Sequence, residues 1–571
     1  MRFEIETRDG LARTGALEID GVIYRTPTIA FADTWKHAAP RECLKLRQSS
    51  LAKDGDLSIA SSAFSDPPEN EGSQIEVGFR GTPYADERRE GAYAVPANVS
   101  ELMLNSKAFA EAVDTMKNSA LLKPSFLPVA GLPCRLALLV YCGFDLFDSI
   151  PLILATENDV YLTTDGAIPL DRIDEPPCGC ASCEGGIADR DGLLRHNVSV
   201  AESELRLIRH HIKRGTLREL VESRIRAEPW QVQSLRLLDM DHFPLQESHT
   251  PIRGREFHAS SKESLNRPDV ARWRRRLTDR YTRPPRAKML VLLPCSARKP
   301  YSMSPSHRRF REAIRDSGVG QLVHEVIVTS PLGLVPRELE LFYPARDYDI
   351  PVTGHWDNDE QEMVQDLVRW LVETQRYEVV ISHLGNERDV VSEVIDDFID
   401  TSSGRPGSRE SLRELRTALM DQSPRETETT SWKARTIEDM TSLARFQFGE
   451  AGTLLTDGAK AVGRWPEVRM MSSGKQLGMI SRQRGMISLT LSGAAMISSK
   501  DAYCVDIDDF LPKGNLFAVG VEDATDDIRI GDDVAVRHGE DVRAVGVARM
   551  TPAEMRSAER GEAVHVRHRV R

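Results

Sequence analysis

KMLVLLPCSARKPYSMSPSHRRF, residues 288–310, decides how the middle of this chain folds. Its apolar run, Met289 to Leu293, stops at Pro294, and a run of that length closed by a turn signal predicts a buried strand. The Ser306-His307 start and the spacing of Phe310, Ala313 and Ile314 predict a helix just after it. Strand, polar turn and helix is the arrangement that places ligand sites beyond the carboxyl end of a strand in α/β folds. Cys295 falls in that turn with Arg298, Lys299 and His307 close in sequence, neighbours able to lower a thiol pKa toward a reactive thiolate. The alternative is a structural cysteine beside a solvated basic loop.

Working outward, residues 288–400 alternate between strand and helix patterns. Strands at Met289–Leu293, Val323–Thr329 and Glu378–His383, with helices from Ser306 and over Glu360–Glu373, predict a βαβαβ unit with a parallel sheet. Its strand ends read LPCS, TSPLG and HLGN. Their convergence predicts one cleft holding Cys295, Lys299, Ser330 and His383.

Upstream, Cys178-Gly179-Cys180-Ala181-Ser182-Cys183 is followed by His196-Asn197. Three thiols and one imidazole supply the four ligands of a closed tetrahedral zinc site, a structural one because the protein fills every position. His210 and His211 are rival fourth ligands. The segment GFDLFDS, residues 143–149, carries Asp145 and Asp148 three apart, on one face if the backbone is helical there. Such a pair is either a helix cap with a solvated partner or a nucleophile or base. Residues 1 to about 170 open with a predicted β-hairpin around Asp9-Gly10 and Asp20-Gly21.

Residues 236–287 are charged and weakly periodic and are expected to connect domains, with Arg272, Trp273, Arg274, Arg275 and Arg276 as a basic patch for phosphates or solvent. Residues 401–432, poor in apolar types, predict a linker. A small α+β segment over 433–498 and a β-barrel over 499–571 follow, the latter ending in VHVRHRVR with Arg567, Arg569 and Arg571 on alternate positions of an expected edge strand.

The chain has 571 residues, 40% hydrophobic and 28% charged, with a net charge of −12, so any polyanion must meet a local basic surface. No apolar run is long enough to span a bilayer and no signal-peptide pattern opens the chain, which makes a cytoplasmic protein the expectation. Eight cysteines, three of them within one hexapeptide, favour metal binding over a disulfide framework.

RDGLARTGALEI (8–19), GFDLFDS and CGCASC with its His-Asn pair resemble the tRNA-guanine transglycosylase family in its archaeal form. YCVDIDDFLPKGNLFAVGV (503–521) resembles a PUA domain. PCSARKPYSMSPSH (294–307) with TSPLGLVPRELELFYPARDYDIPVTGHWD (329–357) is similar to the block that sets archaeosine synthases apart from true transglycosylases. The resemblance implies a multidomain α/β protein. Residues 1–235 would form a modified TIM-barrel-like domain with zinc held by Cys178, Cys180, Cys183 and His196; residues 288–400 a central catalytic domain; residues 499–571 an RNA-binding PUA barrel. It implies as substrate a tRNA carrying 7-cyano-7-deazaguanine (preQ0) in its D-arm, whose nitrile becomes an amidine on the route to archaeosine. Lysine or glutamine would supply the amine, with a radical SAM partner enzyme acting on a lysine adduct. No membrane partner is expected, and the number of subunits, a homodimer among the options, is left open by the sequence. Cys295 would be the nucleophile that forms a thioimidate, with Lys299, His307 and Ser330 assisting and Ser296, Arg298, Tyr301 and Ser304 binding substrate. Asp148 stands where the transglycosylases carry their nucleophile. No Asp-Ser-Gly-Gly-Phe-Gln pocket segment occurs in residues 30–125, so Asp148 reads as vestigial, with preQ0 insertion and catalytically silent tRNA binding as the alternative functions.

Overall fold

The computed structural model describes residues 2–19, 21–32, 43–48, 57–59, 74–75, 94, 102–351, 355–402, 404–422 and 431–570. The chain divides into two compact units, residues 1–250 and 251–571.

In the first unit, the expected hairpin is extended by one strand into an antiparallel meander of Arg2–Asp9, Ala12–Ile19 and Val22–Thr26. Gly10 and Gly21 make its turns at φ of +64° and +84°, in the left-handed region that glycine enters without a Cβ penalty. Where the resemblance implies a barrel, the described residues form a sheet of five parallel strands in the order 74–75, 57–59, 44–48, 28–32 and 146–148. The apolar helix Pro133–Tyr141 leads to the last of these and is buried almost throughout. A 25-residue helix, Arg190–Arg214, is capped by Asp189 at one end and by Gly215 in the left-handed conformation at the other.

The second unit is built on a five-stranded sheet in the order 333–336, 323–329, 289–294, 379–382 and 399–400. All pairings are parallel except that of 333–336, which returns antiparallel. The strand Met289–Pro294 is central, and its side chains alternate between two layers. Met289, Val291 and Leu293 pack with Phe310, Ile314, Leu415 and Leu419 on one face, whereas Leu290 and Leu292 join Val364, Val368, Leu371 and Trp273 on the other. Burial on both faces is why the strand reads as an uninterrupted apolar run. The flanking helices, Pro305–Asp316 and Asn358–Gln375, start on side-chain caps from Ser304 and Asp357.

Three expectations need correction. Residues 236–287 are more than a connecting segment. Within them the helix Pro268–Arg280 buries Trp273, Arg272 and Arg276 against the core. Arg272 and Arg274 donate to the carbonyls of Pro251 and Pro331, and burial pushes the Arg274 and Arg276 guanidinium groups down to about 10. Arg272, Arg274 and Arg276 thus serve the fold while Arg275 stays exposed, because helical spacing turns 272, 273 and 276 inward. Within 401–432, residues Arg409–Asp421 form a helix capped by Ser408, with Leu415 and Leu419 four apart on its buried face. Two apolar residues at helical spacing suffice to dock a segment whose average composition is polar. Residues 423–430 lie outside the described residues.

A four-stranded antiparallel meander over residues 460–489 lies between the helices Trp432–Phe448 and Leu491–Ser498, and a curled six-stranded sheet follows. The third correction concerns the final strand, Glu562–Arg569. It is no edge, because it lies between Leu516–Phe517 and Asp541–Ala548. Arg567 turns inward to pair with the fully buried Asp533, and Arg569 donates to the Pro512 carbonyl. Arg571 lies outside the described residues.

Candidate active site and metal centre

Cys295 follows directly on the central strand, whose two neighbours, 323–329 and 379–382, leave toward opposite edges of the sheet. That is the switch point where open α/β sheets form a crevice. Here it is a cavity of about 680 Å³, lined among others by Cys295, Ser306, Trp356, Asn386 and Glu387. Cys295 is partly exposed. Its thiol is pushed up to about 11, first by burial and then by the Glu387 carboxylate, with Lys299 and a hydrogen bond from Thr329 opposing the shift. The expected effect of Lys299 is therefore present in direction but is outweighed. At neutral pH the sulfur is a thiol.

The Lys299 ammonium lies 4.1 Å from the centroid of the Tyr348 ring, a cation–π contact, and burial lowers its pKa. Tyr348 bonds to Tyr301 through their hydroxyls and to Thr329 Oγ1 at 2.7 Å, fixing the floor beneath the turn. Tyr301 is fully buried, so its hydroxyl supports the turn from below. Ser304 is likewise buried, its Oγ accepting from the His307 amide at 3.2 Å as the helix cap. Ser296, half-buried, donates to the carbonyl of the exposed Arg298.

His307 is fully buried. Its Nδ1 accepts from Arg337 at 2.9 Å, and burial first, then the Arg337 charge, hold it well below the usual imidazole range. Arg337 also binds Glu325 and Glu340, and Glu340 accepts from the Ser302 amide at 2.9 Å. This network anchors the polar turn, and His307 is not among the residues lining the cavity. Ser330 lies in a neighbouring cavity of about 220 Å³, donating to Glu360 Oε1 at 2.5 Å; His355 and Trp356 border both cavities. Both ring nitrogens of His383 are engaged, with Thr401 Oγ1 and the Pro406 carbonyl, each at 2.9 Å. Of the four residues expected in a single cleft, only Cys295 lines the cavity; Lys299, Ser330 and His383 lie in other surroundings.

Glu387 was absent from the sequence-based set, although it stands one position beyond the strand-end run His383–Asn386. An acid at a third converging strand end is the signal that would have included it. Burial pushes its carboxyl up to about 7, and its Oε2 is buried without a hydrogen-bond partner among the described residues.

In the first unit, the ligand atoms of Cys178, Cys180, Cys183 and His196 all lie within 4.8 Å of one another. Cys183 Sγ is 3.3 Å and Cys180 Sγ 3.6 Å from His196 Nδ1. His196 Nε2 donates to the Leu162 carbonyl at 2.9 Å, a bond that fixes the ring with Nδ1 toward the thiols. Tyr161 stacks on the imidazole at 3.7 Å, and Asn197 binds the Leu162 amide at 2.9 Å. The set could hold a metal ion. His211, a rival ligand by sequence, is instead bonded to Thr216.

Asp148 is fully buried. Its Oδ2 accepts from the Val129 amide at 2.6 Å and its Oδ1 from the Ile150 amide at 2.8 Å, while burial pushes the carboxyl up to about 6. Asp145 forms a buried pair with Arg13. Residues 146–148 are a strand, so the shared helical face anticipated for the two acids does not form.

A parallel-sheet cysteine cavity, a Cys₃His cluster and a C-terminal curled sheet define a multidomain α/β protein. Family models match accordingly: queuine tRNA-ribosyltransferase over residues 85–229, a domain of unknown function (DUF5591) over 270–419 and a PUA domain over 508–570. The chain is 37% identical to the archaeosine synthase subunit alpha of Methanosarcina acetivorans, over 81% of this chain and 77% of that protein. It is 33% identical to the archaeosine synthase of Haloferax volcanii, over 99% of both chains. It is 28% identical to the tRNA-guanine(15) transglycosylase of Methanobrevibacter smithii, over 81% of this chain and 70% of that one. The chain belongs to the archaeosine synthase family.

Proposed function

We propose that this protein is a tRNA-modifying transferase that converts the nitrile of preQ0, carried in the D-arm of tRNA, to an amidine by adding an amine. The observation that carries the reading is Cys295, a partly exposed cysteine at the switch point of a parallel sheet, opening on a cavity of about 680 Å³. The sulfur adds to the nitrile carbon to give a thioimidate, which an amine then displaces, splitting one hard step into two. Lys299, half-buried beside the thiol, favours the thiolate as it forms. Ser296 and Arg298 contact the RNA around the inserted base. His307 and Ser330 act through the turn and the neighbouring cavity, not on the reacting atoms.

The Cys₃His cluster holds a structural zinc ion, whose binding energy is folding energy for the first unit. The PUA domain supplies much of the affinity for tRNA, and binding weakens with salt as counterions return to the phosphates. The deciding experiment is mass spectrometry of nucleosides from preQ0-bearing tRNA after incubation with lysine or glutamine. A mass gain equal to the amine, dependent on Cys295, supports the proposal; unmodified preQ0 under both conditions overturns it.

A further inference from the structure

We propose that Glu387 is a catalytic residue, relaying the proton between Cys295 Sγ and the nitrile nitrogen of the substrate. The inference rests on the functional reading above and deepens it. Thioimidate formation has a proton balance that a thiol alone does not meet. The S–H bond breaks, a C–S bond forms, one C–N π bond is lost and the nitrogen gains a proton. A group must take the sulfur proton and deliver it to nitrogen a few ångströms away.

Glu387 is the acid we assign to this task. It lines the same cavity as Cys295, and its charge is the second cause, after burial, of the raised thiol pKa. Its Oε2 is buried, with no hydrogen-bond partner among the described residues. An unpartnered buried carboxylate oxygen is costly unless a ligand group satisfies it. His307 and His383 do not line the cavity; His355 and Asp389 do, but of these three acid–base groups Glu387 is the one whose charge is a leading cause of the raised Cys295 thiol pKa. With its carboxyl at about 7, Glu387 is half ionised at neutral pH, near the optimum for a group that both accepts and donates.

The reacting state holds one proton between the two groups, as thiol and carboxylate. The carboxylate takes the proton from Sγ as the C–S bond forms and passes it to the imide nitrogen. In the second half the carboxylate takes a proton from the attacking amine, and the same proton returns to sulfur as the C–S bond breaks. Each half leaves Glu387 as it began. The rate should therefore fall as pH drops through about 7.

The test uses full-length protein, preQ0-bearing tRNA and lysine or ammonium. Glu387→Gln is expected to lower kcat by about 10²–10⁴-fold and flatten the limb near pH 7. Its Kd for the tRNA should stay unchanged. Removing the carboxylate also lowers the Cys295 pKa, so alkylation of Cys295 by iodoacetamide should shift to lower pH even as turnover collapses. Glu387→Asp keeps a carboxyl in the cavity and should retain the limb; a flat profile there overturns the relay. So does wild-type turnover in Glu387→Gln, or a loss confined to tRNA affinity. Wild-type protein that forms no amidine with either amine overturns the functional reading itself, whereas amidine formed at equal rates by wild type and Glu387→Gln overturns the relay alone.

Discussion

Asp148 and Cys295 each sit at the carboxyl end of a parallel strand, and they meet opposite fates. Asp148 has both carboxylate oxygens on backbone amides and no exposed surface. Cys295 opens on a cavity also lined by Glu387, whose Oε2 has no hydrogen-bond partner among the described residues. A strand end becomes a reaction site only when the following turn leaves both the functional atom and some space unclaimed. The Asp148 turn runs straight into the helix Ile150–Glu157 and consumes its carboxylate there. The Cys295 turn spends Ser304, Tyr301 and the Arg337 network on holding itself open.

The contrast is most easily broken at Cys295. Cys295→Ser should reduce amidine formation by at least about 10³-fold with tRNA affinity intact, because loss of a covalent nucleophile removes the step it splits. Full turnover in that variant, read by nucleoside mass spectrometry, would reduce Cys295 to a packing residue. Asp148→Asn should leave turnover within about twofold. Wild-type protein should incorporate no labelled preQ0 base into tRNA, and incorporation would reopen the first unit as a transglycosylase site.

The next effect separates structure from chemistry within the first unit. Cys183→Ser should lose bound zinc and lower the thermal stability of residues 1–250, while the rate of Cys295 alkylation stays the same. Metal analysis alongside calorimetry checks this, and a zinc-free protein of normal stability would refute it. Smaller again is Lys299→Ala. The ammonium favours the thiolate, so removing it should raise the thiol pKa above about 11 and slow alkylation, by about tenfold per pKa unit, at fixed pH.

The smallest effect is on stability. Asp148→Asn keeps one acceptor for two backbone donors and should cost about 1–3 kcal/mol. The folded Asp148 carboxyl, at about 6, lies above its ordinary 3.8, so the native state binds its proton more tightly. Its contribution should therefore fall as pH rises between those values and recover on acidification, a dependence that Asp148→Asn removes. Denaturant unfolding across pH 4 to 7 reads the difference; a stability that rises over that interval by the same amount in both proteins would contradict it.

The sequence by itself determined what depends on near neighbours. Periodicity placed the strands 289–294 and 323–329 and the helices after them, because buried faces impose their spacing on the residues that fill them. Tight Cys-x-Cys-x-x-Cys spacing drew the three thiols together, and a helix brought His196 onto them. Only the tertiary structure decided which polar groups are free. Arg272, Arg276 and Arg567 look like surface cations in the chain and are spent inside the fold. His307 looks like an acid–base group and is held neutral beside Arg337. Glu387 looks like any charged loop residue, yet it lines the same cavity as Cys295 from a helical turn 92 residues further along the chain. The reason is physical: desolvation and charge fix a side chain's protonation and reach, and both depend on what packs around it from distant segments.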